Sequence, residues 1–263
     1  MEMIDVGGFS LHASVQGPED APTLVLINSL GTDFRTWDPL LPLLPGNLRV
    51  LRYDKRGHGL SDDPDDDRGM ESRAVDLERL LDRLRIQRAA LVGLSVGGQI
   101  ALSLAGRRPD LVSRLALMDT AARIGTPEMW SARMAGVQAG GLAAIADDVL
   151  ARWFTAAFRH SDPRFPRYRN MLLRTPAQGY LRTCAAIRDA DCREQARGLR
   201  LPVLAMAGSE DRSTPPALVR ETAALIDGAR FQEIPAAGHL PMVERPGEVA
   251  AALLPFLAET TNV

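Results

Sequence analysis

The chain has 263 residues, 46% hydrophobic and 24% charged, with a formal net charge of −2. That length buries roughly three quarters of the unfolded chain's surface, and the balance is that of a globular protein without the basic excess of a nucleic-acid binder. No 18-residue apolar run offers a membrane span, and the acidic start Met1-Glu2-Met3-Ile4-Asp5 lacks a signal-peptide pattern, so no membrane partner and a cytoplasmic location are expected.

In chain order, Phe9 to Val15 alternates as a strand carrying His12, and Thr23-Leu24-Val25-Leu26-Ile27 is a buried strand leading into Asn28-Ser29-Leu30-Gly31. Arg49 to Tyr53 forms a third strand. It runs into Asp54 and the turn Arg56-Gly57-His58-Gly59, where Asp54 and His58 are expected to shape the turn. Asp62 to Asp67 reads as a solvated acidic loop without calcium-loop spacing. From Ala74 to Ile86, Leu77, Leu80, Leu81 and Leu84 fall on one helical stripe.

Ala89-Ala90-Leu91-Val92 is a further buried strand. Gly98 to Ala105 is a helix stopped by Gly106 and Pro109. Between them lies Gly93-Leu94-Ser95-Val96-Gly97. A G-x-S-x-G between strand and helix is the arrangement in which a strained turn exposes a nucleophilic serine, and the glycines let strand and helix pass closely.

A serine hydroxyl is weakly nucleophilic at neutral pH and needs a base and a group to orient that base. Of the four histidines, His12 and His58 have structural readings, and His160 sits at a polar helix end. His239 lies in Ala237-Gly238-His239, just after the strand Arg230 to Pro235, and is the expected base. Asp211 leaves the apolar strand Leu201 to Ala207 through Gly208-Ser209-Glu210 and is the preferred acid; Glu210 and Asp119 are the competitors. Ser213-Thr214-Pro215-Pro216 then opens a helix with a hydroxyl cap. The order Ser95, Asp211, His239 is one of the known triad orders. The oxyanion donors are expected to be the backbone N–H groups of Val96 and Leu30.

Strand signals vanish between residues 120 and 200, where Trp130, Met134, Leu142, Ile145, Leu150, Trp153 and Phe154 recur at helical intervals. The expected class is α/β: a mostly parallel central sheet with helices on both faces. A helical cap, 120–200, is inserted into a core formed by 1–119 and 201–263. The last helix spans Glu248 to Leu257. The cap holds 13 Arg against 7 Asp and Glu in a chain that uses 30 Arg and one Lys, Lys55. A positive cap on a negative core suggests a small anionic substrate held by arginine. Cys184 and Cys192 suggest neither disulfide nor metal site, and no metal or cofactor motif is present.

Three stretches carry a family resemblance: Asn28-Ser29-Leu30-Gly31-Thr32-Asp33 with Trp37, Gly93 to Gly98, and Asp119-Thr120-Ala121-Ala122-Arg123-Ile124-Gly125-Thr126-Pro127 with Trp130. They resemble the bacterial 3-oxoadipate enol-lactonases of the α/β-hydrolase superfamily. The resemblance implies cofactor-free opening of 3-oxoadipate enol-lactone in the β-ketoadipate route of aromatic degradation. Its anionic substrate would meet Arg133 or Arg123, with Trp130 either shaping the pocket or packing in the cap. A carboxylesterase or carbon–carbon bond hydrolase of the same fold, and a non-turnover receptor, are the alternatives.

Overall fold

The structure, a computed structural model, describes residues 1–67 and 69–259. Eight strands form one sheet: β1 (Glu2–Asp5), β2 (Ser10–Gln16), β3 (Thr23–Ile27), β4 (Arg49–Tyr53), β5 (Ala89–Leu94), β6 (Val112–Met118), β7 (Val203–Gly208) and β8 (Arg230–Ile234). Their spatial order is β1-β2-β4-β3-β5-β6-β7-β8. The pairings of β2 with β1 and β4 are antiparallel, and the other pairings are parallel.

Every residue of β3, β4 and β7 is buried. A strand hidden at successive positions must be covered on both faces, which explains the near-continuous apolar runs of β3 and β7. Around the sheet stand α1 (Met70–Arg83) and α2 (Val96–Arg107). The apolar stripe of α1 buries Leu77, Leu80 and Leu81 as its helical period predicts.

Between β6 and β7 the described chain forms helices only: α3 (Pro127–Gly140), α4 (Ala146–Trp153), α5 (Ala156–Ser161), α6 (Phe165–Leu173), α7 (Ala177–Asp189) and α8 (Arg193–Gly198), with one short 3-10 turn. The chain closes with α9 (Pro216–Ala223) before β8, then α10 (Pro241–Glu244) and α11 (Pro246–Ala258). No helix among the described residues is long and apolar enough to cross a membrane.

Two local expectations change, and His12 is the partly exposed strand residue expected. The acidic loop is an arginine dock: Asp66, Asp67 and Asp65 pair with Arg56, Arg73 and Arg182 at 3.1, 2.9 and 2.6 Å. Its carboxylates answer guanidinium groups from α1, α7 and the turn after β4, of which only Arg182 is distant in sequence. Thr214 does not cap α9, whose N-cap is Pro215; its hydroxyl donates to Asp211 instead. His12 is half-buried, with Nδ1 2.8 Å from Asp54 Oδ2.

β3 has β4 on one side and β5 on the other. The connections leaving their carboxyl ends therefore diverge and open a crevice, the place where α/β sheets bind ligands. Both Asn28–Gly31 and Ser95 leave the sheet there.

Candidate active site

Ser95 sits between β5 and α2 with φ +56° and ψ −121°. A positive φ is strained for a residue with a Cβ, and such strain persists only where the surroundings enforce it. Here Ser95 N–H donates to Met118 O at 3.0 Å, and Ser95 O accepts from Thr120 Oγ1 at 2.6 Å. The tight packing depends on Gly97, where a Cβ would come 2.3 Å from Ile27 O. The strained turn is thus held from β6 and from β3.

His239 lies in the loop between β8 and α10 and is 2% exposed. Its Nδ1 is 2.8 Å from Asp211 Oδ2. Asp211 also accepts from Thr214 Oγ1 at 2.7 Å and from Ser213 N–H at 2.7 Å. Burial alone would raise the Asp211 carboxyl, but His239 and these donors bring it below its ordinary value. The carboxylate is therefore ionised at neutral pH and can only accept. The proton lies on His239 Nδ1, which leaves Nε2 a lone pair.

The two competing acids separate clearly. Glu210 is exposed. Asp119 is fully buried and donates nothing to His239; its Oδ1 accepts from Gly208 N–H at 2.7 Å. Burial, and then the charge of Asp211, push the Asp119 carboxyl well above the usual range. Of the pair, Asp211 holds the negative charge facing the imidazole. Ligand-type atoms of Asp119, Asp211 and His239 lie within 4.8 Å of one another, a spacing compatible with a cation. Yet the His239 and Asp211 atoms are already committed to their mutual bond, so the donor set matches a proton-transfer pair better than a metal cage.

Ser95 and His239 line one cleft with Ser29, Leu30, Ile124, Met129, Trp130, Arg133, Arg152, Trp153, Tyr180 and Ser213. Its cavity is about 40 Å³, room for only a few waters. Leu30 N–H donates to no group among the described residues. Val96 is the first residue of α2, so its N–H has no partner within the helix.

Trp130 is buried, and its Nε1 donates to Ile124 O at 2.7 Å. The Arg133 guanidinium stands over its ring, 4.8 Å from the centroid. Arg133 forms no ion pair among the described residues, and the cleft lining contains no Asp or Glu.

Arg123, expected beside the substrate, is exposed and absent from the lining. Its neighbours Ala121, Ala122 and Ile124 take the buried positions of that loop, so Arg123 faces outward. Arg152, which sequence reasoning missed, lines the cleft from α4. Its place in the last turn of an amphipathic helix was the available signal.

A model of the alpha/beta hydrolase family matches residues 24–252. The chain belongs to the alpha/beta hydrolase family. It is 35% identical to 3-oxoadipate enol-lactonase 1 of Acinetobacter baylyi over 91% of this chain and 90% of that protein. Among solved structures, the enol-lactonase of Burkholderia xenovorans LB400 superposes with a TM-score of 0.95 at 40% identity, covering 98% of this chain and 100% of that one. A hydrolase from Pseudomonas aeruginosa matches with a TM-score of 0.92 at 36% identity, with 98% of each chain covered. The α/β-hydrolase fold expected from the sequence is the fold observed, and the chain is a hydrolase resembling the 3-oxoadipate enol-lactonases.

Proposed function

We propose that this hydrolase opens 3-oxoadipate enol-lactone to 3-oxoadipate through a Ser95–His239–Asp211 triad and an acyl-enzyme. The observation that carries the reading is a buried Asp211–His239 pair whose imidazole lines one cleft with Ser95, Arg133 and Arg152, a lining without carboxylates. Likeness to enol-lactonases along the whole chain supports the choice of substrate.

In this mechanism His239 Nε2 takes the Ser95 proton as Oγ attacks the lactone carbonyl, and the Leu30 and Val96 N–H groups receive the developing oxyanion. The ring oxygen leaves as an enolate, more stable than an alkoxide; the His239 imidazolium gives it the proton taken from Ser95, and the resulting enol becomes the ketone. Water, deprotonated by His239, then hydrolyses the ester on Ser95 and releases the diacid. Every step is proton transfer and acyl transfer, which these residues supply without a cofactor.

The substrate carboxylate pairs with Arg133 and pulls the guanidinium from its place over Trp130. The helices of residues 120–200 form the cap over the core of 1–119 and 201–263, and Trp130, Arg133, Arg152, Trp153 and Tyr180 of that cap line the cleft with Ser95 and His239. Two free, buried cysteines suit a reducing cytoplasm.

The test is the purified protein's rate of loss of enol-lactone ultraviolet absorbance, beside that of Ser95→Ala. Rapid turnover abolished by the substitution supports the proposal. No turnover by the wild type, or undiminished turnover by Ser95→Ala, refutes it.

A further inference from the structure

Lys55 is the single lysine of the chain, and it is 1% exposed. It has no carboxylate within ion-pair distance among the described residues. Burying an ammonium group is costly unless something repays it. Its hydrogen bond here is to a backbone carbonyl: Nζ donates to Ser29 O at 2.5 Å.

Ser29 C=O and Leu30 N–H belong to one peptide group, and no described peptide bond is cis. In a trans peptide the carbonyl and the N–H point in opposite directions. A donor held at the carbonyl end, Nζ as ammonium or as amine, therefore fixes where the Leu30 N–H aims and draws electron density away from it, most strongly when Nζ is protonated. Thr32 adds its hydroxyl to the same carbonyl at 2.9 Å.

The next peptide is held as well. Gly31, with φ +73°, donates its N–H to His58 Nε2 at 3.1 Å, and Thr175 Oγ1 donates to Gly31 O at 3.2 Å. Because Gly31 N–H is a donor, His58 Nε2 must be bare and the ring proton must sit on Nδ1, 3.3 Å from Arg56 O. His58 is fully buried; burial and the charge of Lys55 keep it neutral by holding its pKa well below the ordinary value. Lys55 and His58 follow β4, so one turn grips two successive peptides of the loop after β3.

We propose that Lys55 and His58 are positioning residues for the oxyanion donor: Lys55 orients and polarises the Ser29–Leu30 peptide, and His58 occupies the neighbouring Gly31 N–H, leaving Leu30 N–H as this loop's donor to the oxyanion alongside Val96 N–H. The inference rests on the acyl-transfer reading above. It adds two residues that never touch substrate.

The experiment compares Lys55→Met, His58→Leu and His58→Gln with the wild type. The expected result for the first two is a fall in kcat of roughly 3- to 30-fold with KM changed less than about twofold, a partial version of losing a whole donor. Glutamine can again accept from Gly31 N–H, so His58→Gln recovers most of the rate. A carboxyalkyl boronic acid, whose adduct on Ser95 places an oxygen at the oxyanion position, binds Lys55→Met more weakly by the same factor as kcat.

Unchanged kcat and boronate affinity in folded Lys55→Met and His58→Leu overturn the proposal. A crystal structure of the wild-type boronate adduct decides it even where a variant does not fold: a boronate oxygen on Leu30 N–H upholds it, and one held only by other donors overturns it. Active Ser95→Ala sinks the acyl-transfer reading itself. Inactive Ser95→Ala with unimpaired Lys55 and His58 variants sinks this inference alone.

Discussion

Replacing Arg133 by methionine removes the guanidinium while keeping an apolar stem of similar length. Arg133 is half-buried, is free of any acidic partner among the described residues, and faces a cleft without carboxylates. A hydrogen bond between charged groups in such a setting contributes about 1.5–3 kcal/mol, or roughly 10- to 150-fold in kcat/KM. Most of the loss should appear in KM, because the distal carboxylate is bound alike in ground and transition states. The methyl ester of the same lactone carries no charge and should lose less than about threefold. Arg152 is exposed and screened by water, so Arg152→Met should cost the anionic substrate far less. The assay is initial rates of absorbance loss for acid and ester with each variant. Equal losses on both substrates in Arg133→Met would refute the carboxylate role.

Asp211→Asn should lower kcat by about 10³–10⁴ while leaving the fold intact, because an amide can present its NH₂ to Nδ1 and favour the wrong tautomer; stopped assays at high enzyme concentration measure it. Gly97→Ala drives a methyl to 2.3 Å from Ile27 O, an overpacking cost of about 1–3 kcal/mol, and should lower Tm by roughly 2–12 °C in calorimetry. Lys55, facing Asp54, Arg73 and Asp33, has its ammonium brought by burial from 10.5 to about 7. The unfolded chain then binds the extra proton between those values, so this contribution to stability is complete above about pH 10.5 and is lost as pH falls through 7. Urea unfolding should show wild-type stability gaining more from pH 7 to 9.5 than Lys55→Met; parallel gains would contradict the assignment.

The central strands, and the residues of the proposed trio, are each marked in the sequence by local chemistry. Thr23–Ile27 and Val203–Gly208 announce themselves by unbroken apolar runs. Ser95 and Asp211 each follow such a strand in a short loop, His239 follows the more polar β8, and Gly97 beside Ser95 reflects the close approach of α2 to β3. What stayed hidden depends on partners far along the chain. The role proposed for Lys55 depends on the turn after β4 meeting the loop after β3. The acidic run Asp62–Asp67 looked solvated because no local pattern marks Arg56, Arg73 and the distant Arg182 as its partners. Arg123 and Arg133 were indistinguishable as isolated cations, and only the burial of Ile124 beside one and of Trp130 beside the other separated them.

Rapid acid quenching of the enzyme during turnover of the enol-lactone, followed by peptide mass spectrometry, addresses the central claim most directly. The account predicts a transient adduct of the ring-opened acyl group on the peptide containing Ser95, absent from Ser95→Ala. An adduct on another residue, or full turnover with no acylated species at any quench time, would contradict it.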